Sequence, residues 1–235
     1  PNYLETPQLE NDPALVRITN NPYLQGEPDI YKDTIVWTDF RNGNPDIYAY
    51  TFSNSTEWAV CTNGNAQFKP AIDGDRIVWQ DYRNNNYDVY MLNITAHELA
   101  RLTSFIDDDM SPDIQGDFVV WYSYHGSPPS NDYSDIYMFD IRSWKLLNLN
   151  DDAALQYNPD VDGNNVVWHD NRDGNWEIYR YNIDTMVISR LTYDLEREQN
   201  FMPRIYGDLV VYYFHHRVKD IWSVRMINMT TGIQT

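Results

Sequence analysis

An all-β fold of five repeated four-stranded sheets is what this 235-residue chain predicts, and three observations carry that reading. Pro28, Pro70, Pro112, Pro159 and Pro203 open five copies of one pattern, spaced 42, 42, 47 and 44 residues apart. Each proline leads to a turn (Asp73-Gly74, Gly116-Asp117, Asp162-Gly163, Gly207-Asp208) and then to a β-branched–aromatic run. The runs are Ile35-Val36-Trp37, Ile77-Val78-Trp79, Val119-Val120-Trp121, Val166-Val167-Trp168 and Val210-Val211-Tyr212. A polar turn separates each run from a third segment: Asp46-Ile47-Tyr48, Asp88-Val89-Tyr90, Asp135-Ile136-Tyr137, Glu177-Ile178-Tyr179 and Asp220-Ile221-Trp222. A period of about 40–50 residues made of short strands is the signature of propeller blades. The expectation is a five-bladed β-propeller over residues 14–235, with blades beginning near 28, 70, 112, 159 and 203, behind an N-terminal extension at 1–13.

The second copy shows why each element forms. Pro70-Ala71-Ile72-Asp73 is a short proline-headed strand, and Gly74-Asp75 supplies the positive-φ positions of a tight turn. Arg76-Ile77-Val78-Trp79-Gln80 follows; its apolar residues are consecutive, as expected of a strand covered on both faces. Tyr82-Arg83-Asn84-Asn85-Asn86 is a turn, and its counterpart Arg41-Asn42-Gly43-Asn44 carries the Asn-Gly hairpin signal. Tyr87–Leu92 is the third strand and Glu98–Thr103 the fourth. Copy three lengthens the second turn with Ser123–Ser134, and insertions of this kind collect on one face of a repeat array. At the ends, Leu15-Val16-Arg17-Ile18-Thr19 reads as a fourth strand with no blade before it. We expect this N-terminal strand, about 14–20, to complete the last blade and close the ring, which removes exposed sheet edges.

Composition narrows the function. Seventeen basic residues against 35 acidic give a net charge of −18, which repels phosphate backbones and disfavours nucleic-acid binding. No apolar run approaches the roughly 20 residues of a membrane span. The N-terminus has neither the basic head nor the apolar stretch of a signal peptide, as an excised domain or a processed chain would look. A single cysteine, Cys61, excludes an intrachain disulfide framework and a multi-thiolate zinc site; it aligns with Ile18, Leu102, Leu149 and Leu191, an apolar slot.

Two segments state the repeat most fully: Asp39-Phe40-Arg41-Asn42-Gly43-Asn44-Pro45-Asp46-Ile47-Tyr48 and Asp170-Asn171-Arg172-Asp173-Gly174-Asn175-Trp176-Glu177-Ile178-Tyr179. Their pattern resembles the TolB-type, WD-like propeller repeat, in the version found in tandem in archaeal cell-surface and S-layer-associated proteins. The resemblance covers about residues 14–235. It implies a propeller, and a role among protein-binding platforms, peptidase gates and surface-layer modules. Copies three and five depart from it, with Ser123 and Phe214 where Asp39 stands.

The chemistry-bearing residues fall into sets. The Asp-x-Arg-Asn-Gly-Asn turns place oxygens at alternating positions, so calcium is the one metal the pattern admits. Asp and Asn also cap turns on their own backbone, and no cofactor is expected. Trp37, Trp79, Trp121 and Trp168 recur inside apolar runs and read as packing between blades rather than sugar platforms. Asp29, Asp113 and Asp160, each one residue after a proline, are expected at the central channel, where Ala71 and Arg204 interrupt the ring. Gln25, Gln67, Asp109, Gln156 and Asn200 stand three residues before each proline, in rim loops with Tyr23, Phe68, Tyr157 and Phe201 nearby. Asn54, Asn93 and Asn228 are N-glycosylation sequons at the turn between third and fourth strands. No Gly-x-Ser-x-Gly elbow or His-Glu-x-x-His helix is present.

The reading is a non-catalytic binding or scaffolding propeller at the cell surface, or alternatively in the periplasm. It would be a monomeric domain, part of a larger surface protein, that engages a protein or glycan through its rim loops. The alternative is a carbohydrate-active or phosphate-ester hydrolase using channel carboxylates with a bound cation.

Overall fold

A computed structural model describes residues 16–126, 133–194 and 197–234. These residues form five four-stranded antiparallel sheets and no helix. Blade one is β1 (Gln25–Tyr31), β2 (Thr34–Asp39), β3 (Asp46–Thr51) and β4 (Thr56–Cys61). Blade two is β5 (Gln67–Asp73), β6 (Arg76–Asp81), β7 (Asp88–Asn93) and β8 (Glu98–Arg101). Blade three is β9 (Asp108–Gln115), β10 (Phe118–Tyr124), β11 (Ser134–Asp140) and β12 (Lys145–Asn148). Blade four is β13 (Gln156–Asp162), β14 (Asn165–Asp170), β15 (Glu177–Asn182) and β16 (Val187–Arg190). Blade five is β17 (Glu198–Tyr206), β18 (Leu209–His216), β19 (Ile221–Asn228) and β20 (Ile233–Gln234). The five-bladed architecture expected from the repeat is present.

The consecutive apolar residues of the second strands explain how the sheets associate. One side of Ile77-Val78-Trp79 faces the preceding blade and the other the following one. Ile77 and Trp79 cluster with Val36, Ile47 and Ala49 of blade one, whereas Val78 joins Ile114, Val119 and Trp121 of blade three. Two more such cores join blade three to four and blade four to five. Burying each of these Val or Ile side chains contributes about 1.5–3 kcal/mol. The tryptophan set is core, as its setting in the sequence implies.

The Asp-x-Arg turns tether the hairpins to this core. Asp39, Asp81 and Asp170 are fully buried and accept the indole N–H of the tryptophan two residues earlier, at 3.0, 3.0 and 2.9 Å. Each also accepts the backbone N–H of the arginine two residues on and pairs with its guanidinium at 2.5–2.6 Å. The guanidinium lies over the ring of Tyr48, Tyr90 or Tyr179. Burial opposes ionisation of Asp39 and Asp81, but hydrogen bonds from arginine and tryptophan outweigh it and hold both below the usual carboxylate range. Asp46 accepts from Asn42 and Asn44, so the oxygens of this turn are taken by protein donors.

Three expectations change. First, residues 16–20 form no strand, and the fourth strand of blade five is the chain's own β20, pairing Ile227 with Gln234 and Asn228 with Ile233. The cause is the turn after Asn228, whose Oδ1 accepts the N–H groups of Thr230 and Thr231 while Gly232 takes φ +70° and bonds the Asn228 carbonyl. Second, Asp220-Ile221-Trp222 does not match Asp46-Ile47-Tyr48. Tyr212 pairs with Arg225 as Trp37 pairs with Tyr48, so Ser223-Val224-Arg225 is the equivalent segment. Without the Asp-x-Arg tether, β18 and β19 zip on to His216 and Ile221. Third, Cys61 is half-buried rather than buried, its Sγ lying 3.2 Å from a guanidinium nitrogen of Arg83. The predicted extension at 1–13 lies outside the described residues.

Replacing Asp170 with Ala should destabilise the fold by about 2 kcal/mol, because it strands the buried Trp168 indole N–H and leaves the half-buried Arg172 guanidinium with Asp152 alone. Urea unfolding measures this, and a loss near zero would show the tether to be dispensable.

Candidate functional site

The five inner strands β1, β5, β9, β13 and β17 surround an axial cavity of about 680 Å³. Proline has no N–H to give a ladder, and every inner strand breaks register there. The residue before each proline takes a left-handed conformation: Glu27 (φ 53°), Lys69 (54°), Ser111 (50°), Asn158 (52°) and Met202 (48°). Such a conformation costs on the order of 1–3 kcal/mol per non-glycine residue, and bulges of this kind re-aim side chains. Both neighbours of each proline therefore line the cavity: Glu27 and Asp29, Lys69 and Ala71, Ser111 and Asp113, Asn158 and Asp160, Met202 and Arg204. The residues after the prolines were legible in sequence. Those before them were missed, although a non-glycine residue precedes a proline at the same point in all five copies.

The channel acids are engaged. Asp29, Asp113 and Asp160 each accept the backbone N–H of the next inner strand, from Ile72 (2.7 Å), Val161 (2.8 Å) and Ile205 (2.6 Å). Glu27 accepts the Lys69 N–H and the Thr38 hydroxyl, both at 2.9 Å, and pairs with the Lys69 ammonium at 3.1 Å. Asp160 is ion-paired with Arg204 and hydrogen-bonded to Asp113. Burial, then the neighbouring Asp160 charge, pushes Asp113 well above the usual carboxylate range. Burial raises Asp160 and Asp29 as well. Arg204 supplies the positive charge that a bound cation would otherwise bring.

The residues three before each proline turn inward. Gln67, Asp109, Gln156 and Asn200 are buried and Gln25 is half-buried. The amide of Gln67 donates to Asn63 and to the Asn65 carbonyl, that of Asn200 to Glu177 and Asp194, and that of Gln25 to the Tyr23 carbonyl. Gln156 is held through its backbone by the Ser134 hydroxyl. Asp109 plays a different part. Ser123 replaces the tether aspartate in blade three, and Asp109 accepts the Trp121 indole N–H instead, at 2.9 Å. These side chains shape the loops, and four of the five offer no open surface to a ligand.

The surface of that face is aromatic. Centroid separations of 5.0–6.2 Å link Tyr122, Tyr157, Trp176, Phe201 and Trp222 across blades three to five, and Trp222 stacks on His215 at 4.0 Å. Phe40, Phe68, Tyr87 and Tyr82 form a second run over blades one and two. Beneath the first run lies His169, which burial holds down to about 3. Trp176, Tyr87 and Trp222 occupy one repeat position, just before the third strand in blades two and four and inside the lengthened β19 in blade five. Phe68, Tyr157 and Phe201 occupy another, two before the proline. The longer loop of blade three opens on the same face, where His125 contacts Asp107 at 3.0 Å and stacks on Tyr133; residues 127–132 of that loop lie outside the described set. Asn54, Asn93 and Asn228 lie at the other end of the blades, each with Oδ1 accepting from its own turn. Among the described residues no three His, Cys, Asp or Glu side chains are grouped to hold a metal, and no helix is long and apolar enough to cross a membrane.

No family model and no curated protein sequence matches the chain. Solved structures match its fold. TolB from Acinetobacter baumannii superposes with a TM-score of 0.65 at 17% identity, over 92% of this chain and 55% of that one. An oligogalacturonate lyase from Vibrio parahaemolyticus gives 0.69 at 12% identity, over 93% and 67%. A chain of a nidogen/laminin complex gives 0.63 at 13% identity, over 91% and 79%. The chain therefore has a TolB-like propeller fold and spans little more than half of the Acinetobacter protein. At these identities the likeness is one of fold.

Stability should report two of the buried titrating groups, Asp109 and His169, with opposite signs. Burial pushes the Asp109 carboxyl up to about 6, above its unfolded value, so its contribution is full below about pH 4 and is lost as pH rises through 6. Asp109→Asn should remove that loss, on the order of 2 kcal/mol at pH 7. His169 is held below its unfolded value, so stability falls as pH drops below about 6.5, and His169→Phe should remove this fall. Urea midpoints from pH 4 to 7 check both; parallel curves for the protein and its variants would refute the assignment.

Proposed function

We propose that the protein is a non-catalytic binding module, displayed outside the cell, that holds a glycan or protein segment against the aromatic run Tyr122–Tyr157–Trp176–Phe201–Trp222 at the mouth of the axial cavity. The observation that carries this reading is the run itself: five rings joined on one face across three blades. Rigid aromatic faces bind with little loss of side-chain freedom, and Tyr and Trp dominate recognition surfaces for that reason. The resemblance to repeats of archaeal surface-layer proteins supports display at the surface, with the periplasm as the second location. The three sequons fit that setting, since glycans there would project from the end of the blades away from the rings. The high negative charge favours a solvated, monodisperse module within a larger surface protein.

A hydrolase is the second reading, favoured by one observation: Asp160 is hydrogen-bonded to Asp113 and ion-paired with Arg204. Their contact is closer than the roughly 5–5.5 Å or 6.5–9.5 Å separations of glycosidase carboxylates. One oxygen of each is already committed to a backbone N–H. The acids read as a brace for the cavity wall.

Glycan arrays and pull-downs from a surface extract test the proposal, with Trp176→Ala as the probe. The variant should keep its fold and lose about ten-fold or more in affinity, since a buried aromatic contact contributes about 1–3 kcal/mol. Unchanged binding by Trp176→Ala would overturn the site. Turnover of chromogenic glycosides or phosphate esters that Asp113→Asn abolishes would overturn the function in favour of the hydrolase.

A further inference from the structure

The wall of the axial cavity repeats one arrangement and departs from it at the first seam. Asp29, Asp113 and Asp160 each use Oδ2 to accept a backbone N–H from the next inner strand. What the rest of the carboxyl meets depends on the residue after the proline in the next blade. For Asp113 that residue is Asp160, and the two carboxyls are hydrogen-bonded. For Asp160 it is Arg204, whose guanidinium bonds Asp160 Oδ1. For Asp29 it is Ala71, which is buried and has no polar side-chain atom to offer.

Among the described residues, Asp29 Oδ1 therefore has no ion pair and no side-chain donor. Besides the Ile72 N–H, only the Ile30 backbone and the more distant Arg204 charge favour its ionised form. Burial and the Asp73 charge oppose it, so this carboxyl lies above its ordinary range. Lys69, the cation of the same seam, is held by Glu27 at 3.1 Å.

We infer that the first seam of the cavity is a socket for the ammonium of a lysine side chain, carried by a protein partner. The inference rests on the aromatic run as the partner's seat and names that partner as a polypeptide. The partner supplies at Asp29 what blade five supplies at Asp160, where the wall already holds a basic side chain at the equivalent position. One open oxygen suits a compact ammonium, whereas the guanidinium fork is best served by two acceptors. A calcium ion would need six or more oxygens, and Asp29 brings one. The lining also suits the stem. Five repeat prolines, Ala71 and Met202 face the cavity, and lysine lays its methylenes along such apolar surface while its head finds charge. The volume of about 680 Å³ is ample for one side chain. A net charge of −18 draws basic partners to the mouth.

NMR titration of the full chain with Nα-acetyl-lysine N-methylamide tests the inference. This probe should bind about ten-fold or more tightly than its norleucine analogue, which has a stem but no charge. Asp29→Asn should lose as much, and its side-chain oxygen can still accept the Ile72 N–H, so the wall is kept. Ala71→Arg, which writes the Asp160–Arg204 pair into the first seam, should abolish binding by filling the socket. Equal affinity for the two probes, or full binding by either variant, would overturn the proposal. Tighter binding of glucosamine or of the matching arginine derivative would do the same, as would displacement of the probe by equimolar calcium chloride. Trp176→Ala should leave affinity for this probe within about two-fold, as independent sites do; a loss equal to that of Asp29→Asn would move the ammonium to the rings and refute the socket. A failure of the aromatic run is thus read at Trp176 with the glycan arrays and pull-downs, and a failure of the socket at Asp29 with the lysine probe.

Discussion

The constraint on which this molecule depends is that its second strands are apolar on both sides. A run such as Ile-Val-Trp has no solvated face, so no blade can satisfy its own sequence. Ile77 and Trp79 need blade one, and Val78 needs blade three. Nearest-neighbour burial of this kind makes stability a sum over seams rather than over sheets. The rest of the design follows from holding neighbouring sheets at the right distance. Carboxylates of one inner strand grip the N–H groups of the next, as Asp29 does with Ile72 and Asp160 with Ile205. The tether aspartates fix each hairpin over the tryptophan that fills the seam.

That division of labour explains why so many acids are compatible with a stable chain. Asp39, Asp81 and Asp170 are fully buried, yet each is matched by an arginine and an indole donor. A buried charge without such partners would cost several kcal/mol. Blade three shows the rule surviving a change of residue. Ser123 removes the tether acid and Asp109 provides one from the neighbouring strand, at the expense of a carboxyl that titrates near neutrality. The indole donor, not the sequence position of the acid, is what the fold keeps from blade to blade.

Much of this was legible in the chain. The prolines, the Ile-Val-Trp runs and the Asp-Gly turns locate sheets because each is a local response to burial or to backbone geometry. Misreadings arose where a local signal had two solutions. Asp220-Ile221-Trp222 matches the third-strand pattern by residue type, but the register is set by how far the hairpin zips, and Phe214 in place of an aspartate lets it zip further. Leu15–Thr19 looks like a fourth strand, yet the Asn228 turn delivers β20 from the other end of the chain. The side of the cavity formed by Glu27, Lys69, Ser111, Asn158 and Met202 was hidden for a different reason. A residue before proline is ordinarily extended, and only the bulge reveals that it points to the axis. Of the aromatic run, Tyr157 and Phe201 were legible beside the rim loops, whereas Tyr122, Trp176 and Trp222 were not, because they come from a second strand, a hairpin turn and a third strand of three blades.

The two ends of the blades are consequently unlike, and the difference bears on function. One end is closed by short turns whose Asn side chains serve their own backbone, at Asn54, Asn93 and Asn228. The other carries the longest loop, the aromatic rings and the opening between inner strands. The cavity wall carries five left-handed residues at one position, and such strain persists only where surrounding structure over-determines it. In blades two to five that over-determination comes from the seams, since each bulge lies beside a buried apolar residue such as Ile72 or Ile205. Cavity shape is thus a consequence of inter-blade packing, and any ligand held at its mouth would read the number and spacing of the sheets as much as the residues it touches.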